Sequence, residues 1–316
     1  MESLPPSPPF PTRPPYLRWA GTLLAVGLLI FLVSREGWQE IGEAIQQIEW
    51  WRFLLAMLLV MVSRLAVAGR WHVLMHHAGT GITSQQSISI TFAGLFASNF
   101  LPTTIGGDVV RLAGAIRLGF DRAISVASLV VDRLVGMAGM ALALPFALPA
   151  WLEYGYAQSG EGKAVEAQTP LFLSVPWLGK LIPLIKKELR RLLETLGIWL
   201  RKPVALVQAL GFTWVHMLCT FGQVALLLGG MDEQVGFGLI GGLWAATYFV
   251  TLLPISINGM GVQELSMAFF FTSFADIAQS SALTLALLMR ALQMLASLPG
   301  ALTIPGLLEG RKNRSA

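Results

Sequence analysis

The sequence predicts an all-α fold, a polytopic transmembrane helix bundle with two glycine- and proline-broken segments, re-entrant or discontinuous, in a pattern that also fits an inverted repeat. Composition is the first reason. With 54% hydrophobic and 13% charged residues and a mean hydropathy of +0.64, the chain lies far from the roughly 25% charge of soluble domains. The second reason is that apolar runs long enough to cross a bilayer, about 20 residues each, are spread over the whole length. The third is a pair of polar stretches inside apolar sequence, Asn99-Phe-Leu-Pro-Thr-Thr-Ile-Gly-Gly-Asp-Val-Val-Arg111 and Leu253-Pro-Ile-Ser-Ile-Asn-Gly-Met-Gly-Val-Gln-Glu264. Both run proline, small polar residues, two glycines, then a carboxylate. Such interruptions in opposite halves of a membrane chain point to a transport site between repeats.

Taken in order, residues 1–15 hold seven of the 17 prolines, which bars a helix and leaves nothing to bury, so they read as a disordered cytoplasmic leader. Residues 16–308 then form a single transmembrane domain, and residues 309–316 a basic tail. Arg13 and Arg18 put the start of the first span, residues 16–34, on the inner side. No small-residue cleavage site follows it, which separates it from a signal peptide. Span two, residues 51–74, follows the interfacial pair Trp50 and Trp51 and carries Arg64. A charge there costs about 2.5–3.5 kcal/mol in hydrocarbon, so Arg64 must face a partner or a wet cavity. Arg70 is placed at the cytoplasmic surface by snorkelling. His72 and His76 share a helical face, but without a third ligand they read as an interfacial pair and not as a metal site.

Residues 85–101 lead into the first break. Beyond a basic connector with Arg117 and Arg122, residues 123–152 form a span holding Asp132 and Arg133. Neighbours on a helix point about 100° apart, so each must meet an opposite charge elsewhere. Residues 153–168 read as a non-cytoplasmic loop, and 169–185, with Pro176, Lys180 and Pro183, as a poor crossing helix. In 184–202, leucines at helical spacing oppose Lys186, Lys187, Arg190, Arg191 and Arg201, the pattern of an amphipathic helix on anionic cytoplasmic lipids. Spans 203–229 and 236–253 precede the second break, a half-helix runs to Phe274, and the final span, 280–305, carries Arg290. With about seven to eight spans of that length, a basic C-terminus stays inside if the second break completes a crossing that the first does not.

At each break, proline removes a backbone donor and stops the helix, and the glycines allow geometries that other residues resist. Backbone freed in this way is tolerated in lipid only where it lines a cavity or is buried in protein. Asp108 and Glu264 open the half-helices that follow, and a helix N-terminus suits an anion such as phosphate. Arg64, Arg111, Arg133 and Arg290 then face Asp108, Asp132, Glu264 and Asp276 in a shared polar interior. Cys219 is the single cysteine, which excludes a disulfide framework and a cysteine-based metal cluster. No metal, cofactor or nucleic-acid partner is expected. No nucleotide-binding motif is present, so ATP does not drive the protein directly.

The order and spacing of Arg70-Trp71, Asn99-x-x-Pro102…Gly106-Gly107-Asp108-x-x-Arg111, Asp132-Arg133-x-x-Gly136, Pro254…Gly259-x-Gly261-x-x-Glu264 and Arg290…Leu298-Pro299-Gly300 resemble the lysylphosphatidylglycerol synthase transmembrane region, also called the flippase-like domain family. The resemblance covers residues 16 to 308. It implies a bacterial inner-membrane protein that moves lipids or lipid-linked molecules between leaflets. It also implies that aminoacyl-transfer chemistry belongs to a separate soluble domain, leaving here the translocating half and no enzyme.

Two functions follow. In the first, a flippase or scramblase takes a phosphate-bearing head group into a cavity lined by Asn99, Pro102, Gly106, Gly107, Asp108, Arg111, Asp132, Arg133, Pro254, Asn258, Gly259, Gly261, Glu264 and Arg290. Asp108 and Glu264 bind a cationic head group or carry protons for coupling, and Glu264 takes the coupling role if no arginine meets it. In the second, the chain is a membrane accessory to a lipid- or glycolipid-synthesising enzyme. Catalysis by Asp108 and Glu264 themselves is the weaker reading, since no nucleophile–base pair accompanies them.

Overall fold

The computed structural model describes residue 46, residues 48–99, 106–158, 199, 201–252 and 259–303. The expectations for the leader, the first span, 169–185, most of 184–202 and the tail lie outside the described residues. Among these residues the fold is entirely helical. In chain order the helices are α1 (Trp50–His77), α2 (Ser84–Ser98), α3 (Gly106–Arg117), α4 (Arg122–Ala143), α5 (Leu148–Gln158), α6 (Pro203–Gly230), α7 (Phe237–Thr251), α8 (Val262–Ala275) and α9 (Gln279–Ser297). A 3-10 turn, Leu144–Ala147, joins α4 to α5, where Pro145 supplies no backbone donor.

Four helical stretches, Trp50–His77, Arg122–Tyr154, Pro203–Gly230 and Gln279–Thr303, are long and apolar enough to cross a membrane. Their outer faces carry Leu54, Leu58, Leu65, Leu134, Leu142, Val207, Leu218 and Leu295, all exposed, as a lipid-facing belt requires. Trp50, 75% exposed, stands at the end of α1, where aromatic side chains favour the membrane interface.

The helices repeat. α1 and α6 are both 28 residues long and α2 and α7 both 15, while α3 has 12 against 14 for α8 and α4 has 22 against 19 for α9. The packing repeats with them: α1 against α2 matches α6 against α7, α3 against α4 matches α8 against α9, and α4 against α6 matches α9 against α1. α1 and α6 are antiparallel. Gly69 lies on Phe212, Leu59 on Gly222 and Arg52 beside Gly229 and Gly230. Ser63 and His216, each the fourteenth residue of its helix, share a hydrogen bond of 2.6 Å. That contact marks a pseudo-two-fold axis perpendicular to the helices, so the two halves form an inverted repeat.

Each half carries a helical pair with the break at its tip. At about 1.5 Å per residue the limbs are about 18–22 Å long, short of a hydrocarbon core of about 30 Å. α2 and α3 run antiparallel, crossing where Gly94 meets Gly107, and α7 packs alongside α8. Residues 100–105 and 253–258 of the two breaks lie outside the described residues, and with them the expectation that only the second completes a crossing. The start of α2 is fixed by a capping box between Thr83 and Gln86, which satisfies two orphan helix-end donors at once. Thr83→Ala is expected to cost about 1 kcal/mol, seen as a lower melting temperature in detergent.

Candidate functional site

Near the axis the bundle interior turns polar. Asp132, 2% exposed, accepts from Arg70 Nε at 2.6 Å and from Arg111 Nη1 at 3.1 Å. Arg111 also reaches Asp108, one turn earlier on α3, at 3.1 Å. Asp108 in turn accepts from Arg133 Nε. Asp132 and Arg133 therefore do meet opposite charges on different helices. Arg70 does not snorkel: it is buried and also donates to Thr213 Oγ1 at 3.3 Å, because a carboxylate inside the bundle outweighs exposure at the surface.

The neighbouring motif residues make room for this network. A Cβ on Gly136, one turn beyond Asp132, would stand 2.9 Å from an Arg70 guanidinium nitrogen. Trp71, fully buried, donates to Ser128 and lies under the Arg111 guanidinium, 4.8 Å from carbon to ring centroid. Such a cation–π contact supports a charge whose Nε and Nη2 have no hydrogen-bond partner.

The second half holds one matching pair. Glu264, third residue of α8 as Asp108 is of α3, accepts from Arg290 Nε at 2.5 Å. Arg290 and Arg133 are each the twelfth residue of their helices. Each half therefore carries the same carboxylate–arginine clasp between its half-helix and the following helix. Glu264 finds an arginine, which removes the condition for singling it out as the coupling residue. Arg290 Nη2 donates to the Gly259 carbonyl at 3.2 Å, so part of the backbone freed at the second break is held by the clasp.

The glycines divide by role. Gly259 and Gly261 have φ of 69° and 76°, the left-handed region that glycine adopts without penalty. Gly106 and Gly107 lie inside the first turn of α3, and Gly107 serves close helix contact, not a turn. Asn99 donates to Ser297 at 2.7 Å, tying the end of α2 to α9. Pro102, Pro254 and Asn258 lie outside the described residues. Asp276 is not interior: it is exposed at the end of α8 with φ of 53°. His72 bonds Ser87 and stacks on His76. Cys219 is half-buried.

Three cavities adjoin the network. One of about 320 Å³ is lined by Arg64, Arg70, Asp108, Arg111, Asp132 and Arg133. A second, of about 180 Å³, includes Arg64, Asn99, Gln263 and Arg290. A third, also about 180 Å³, includes Ser63, Arg64, His216, Gln223 and Gln263. Arg64 borders all three, yet it is absent from the candidate set drawn from the sequence; a charge within an apolar run was the signal. Around the cavities, five arginines meet three carboxylates among the described residues.

An apolar helix bundle with a buried polar interior, in which arginines outnumber carboxylates among the described residues, is a membrane protein. The model of the lysylphosphatidylglycerol synthase TM region matches residues 18–300, and the chain belongs to that family. No curated protein matches it.

Proposed function

We propose that the protein translocates a lipid, phospholipid or polyprenyl-linked, between leaflets of the bacterial inner membrane, as a multi-pass flippase or scramblase without enzymatic activity. The observation that supports this best is the excess of arginine over carboxylate around cavities at the junction of two inverted repeats. A phosphate-bearing head group supplies the missing negative charge while its acyl chains stay in lipid. Inverted-repeat transporters place their sites at such a junction, and the matched clasps give each half a closable polar contact. Coupling, where present, draws on an ion gradient or on the lipid gradient.

Reconstituted in liposomes, the protein is expected to accelerate transbilayer movement of a fluorescent anionic lipid, and Glu264→Gln to slow it at least tenfold. Equal rates for wild type, variant and empty liposomes would sink the reading. The accessory role beside a lipid-synthesising enzyme is the alternative, and it predicts that outcome.

A further inference from the structure

We infer that the chamber bounded by Arg64, Gln223 and Gln263 at the pseudo-two-fold axis binds a phosphate-class oxyanion, at a place distinct from the ion-paired arginines. The cavity of about 320 Å³ contains carboxylates that already engage Arg70, Arg111 and Arg133. The third cavity, among its described lining residues, contains none. Arg64 is its single formal cation, forms no ion pair with a described residue, and keeps its Nε buried without a hydrogen-bond partner. The Nε2 amides of Gln223 and Gln263, in the same lining, also lack partners.

All three unsatisfied groups are N–H donors. The nearby hydroxyls of Thr220, Thr247 and Thr251 donate to the carbonyls of His216, Leu243 and Tyr248 within their own helices, and none of the three buried donors bonds to a hydroxyl oxygen. Buried donors are satisfied in stable interiors, and a guanidinium does not lose its proton to escape the requirement. The missing partner is therefore a multivalent acceptor carrying negative charge. At about 30 Å³ per water, a chamber of about 180 Å³ holds a tetrahedral oxyanion with some water, but no acyl chains. A lipid enters it by its phosphate alone.

The site belongs to one half only. Arg64 is the fifteenth residue of α1, and the fifteenth of α6 is Met217, fully buried in the apolar core. The charge is thus not demanded by the repeat architecture, which accommodates methionine at the same position. For its physiological source, a lipid phosphate, the inference rests on the translocator reading.

The test uses the full chain in neutral maltoside micelles, titrated with phosphatidylglycerol, with diacylglycerol, and with sodium phosphate against sodium chloride at equal ionic strength. Melting temperature and apparent Kd are read. Phosphatidylglycerol is expected to raise the wild-type melting temperature, diacylglycerol not to, and Arg64→Met to weaken the apparent Kd at least tenfold while melting no lower than wild type without ligand. Gln223→Leu, which leaves the charge in place, is expected to weaken binding about threefold. A response to phosphatidylglycerol alone assigns the chamber to lipid; a response to free phosphate as well extends it to soluble anions. Equal binding by wild type and both variants, or equal shifts from phosphatidylglycerol and diacylglycerol, overturns the site. Binding without accelerated movement in liposomes keeps the site and removes the translocator; accelerated movement with an apparent Kd unchanged by Arg64→Met removes the site alone.

Discussion

Asp132→Asn is expected to destabilise the protein by about 3–5 kcal/mol, because it leaves two buried guanidinium groups without their shared counter-charge. Arg70 and Arg111 are 8% and 7% exposed, and neither has another full carboxylate to itself, since Asp108 also serves Arg133. At about 2–4 °C per kcal/mol, the melting temperature in detergent should fall by on the order of 10 °C. The second half shows how the triad is dispensable as a whole. Counting along the helices, the counterparts of Arg70, Arg111 and Asp132 are Gln223, Met267 and Met289. Both methionines sit in the apolar core. Replacing a complete buried ion triad by apolar residues is often neutral or stabilising, whereas breaking it is not. The combined variant Arg70→Gln, Arg111→Met and Asp132→Met should therefore recover most of the stability lost in Asp132→Asn. It should also lose lipid movement in liposomes, separating a structural from a functional triad. A triple variant no more stable than the single one, or an Asp132→Asn protein that melts like wild type, defeats this account.

Much of the fold was legible because lipid leaves the chain few options. The apolar runs read at residues 51–74 and 203–229 fall within α1 and α6, and the prolines and glycines mark where α2 and α7 give way to α3 and α8. The divergence of Asp132 and Arg133 followed from helical geometry alone. Arg70 was misplaced for a definite reason. It lies within two turns of the end of α1, where snorkelling and burial look identical in sequence, and its partner is 62 positions away. The repeat showed in the two matched breaks but was otherwise hidden in residue identities. Counterparts such as Arg64 and Met217, or Arg70 and Gln223, share no chemistry, and what recurs is helix length and the clasp position. Gly107 looked like the turn-forming Gly259 because composition does not report φ. The two glycines do opposite things: one bends the backbone, the other lets two backbones touch.

That contact carries the second large expectation. A Cβ on Gly107 would stand 2.7 Å from the Gly94 carbonyl oxygen, and a Cβ on Gly94 would stand 2.7 Å from the Gly107 carbonyl oxygen and from Arg111 Cγ. Neither backbone can yield without separating α2 from α3, so alanine at Gly107 is expected to cost about 1–3 kcal/mol of overpacking. That outweighs the gain of about 1 kcal/mol from helix propensity, and Gly107→Val should prevent the hairpin from closing. Gly114, two turns further along α3, provides the contrast. Its Cβ would meet only the Ile90 side chain, at 3.2 Å and beyond, which can shift by a few tenths of an ångström. Gly114→Ala should therefore melt at or slightly above the wild-type temperature, while Gly107→Ala melts several degrees below it. Because Arg111 packs on this crossing and bonds Asp132, a hairpin held open at Gly107 also withdraws one arm of the ion network. The Gly107→Ala variant should then lose lipid movement out of proportion to its loss of stability. If both alanine variants melt alike, the glycine pair is not a close crossing and α3 is held by its charges alone.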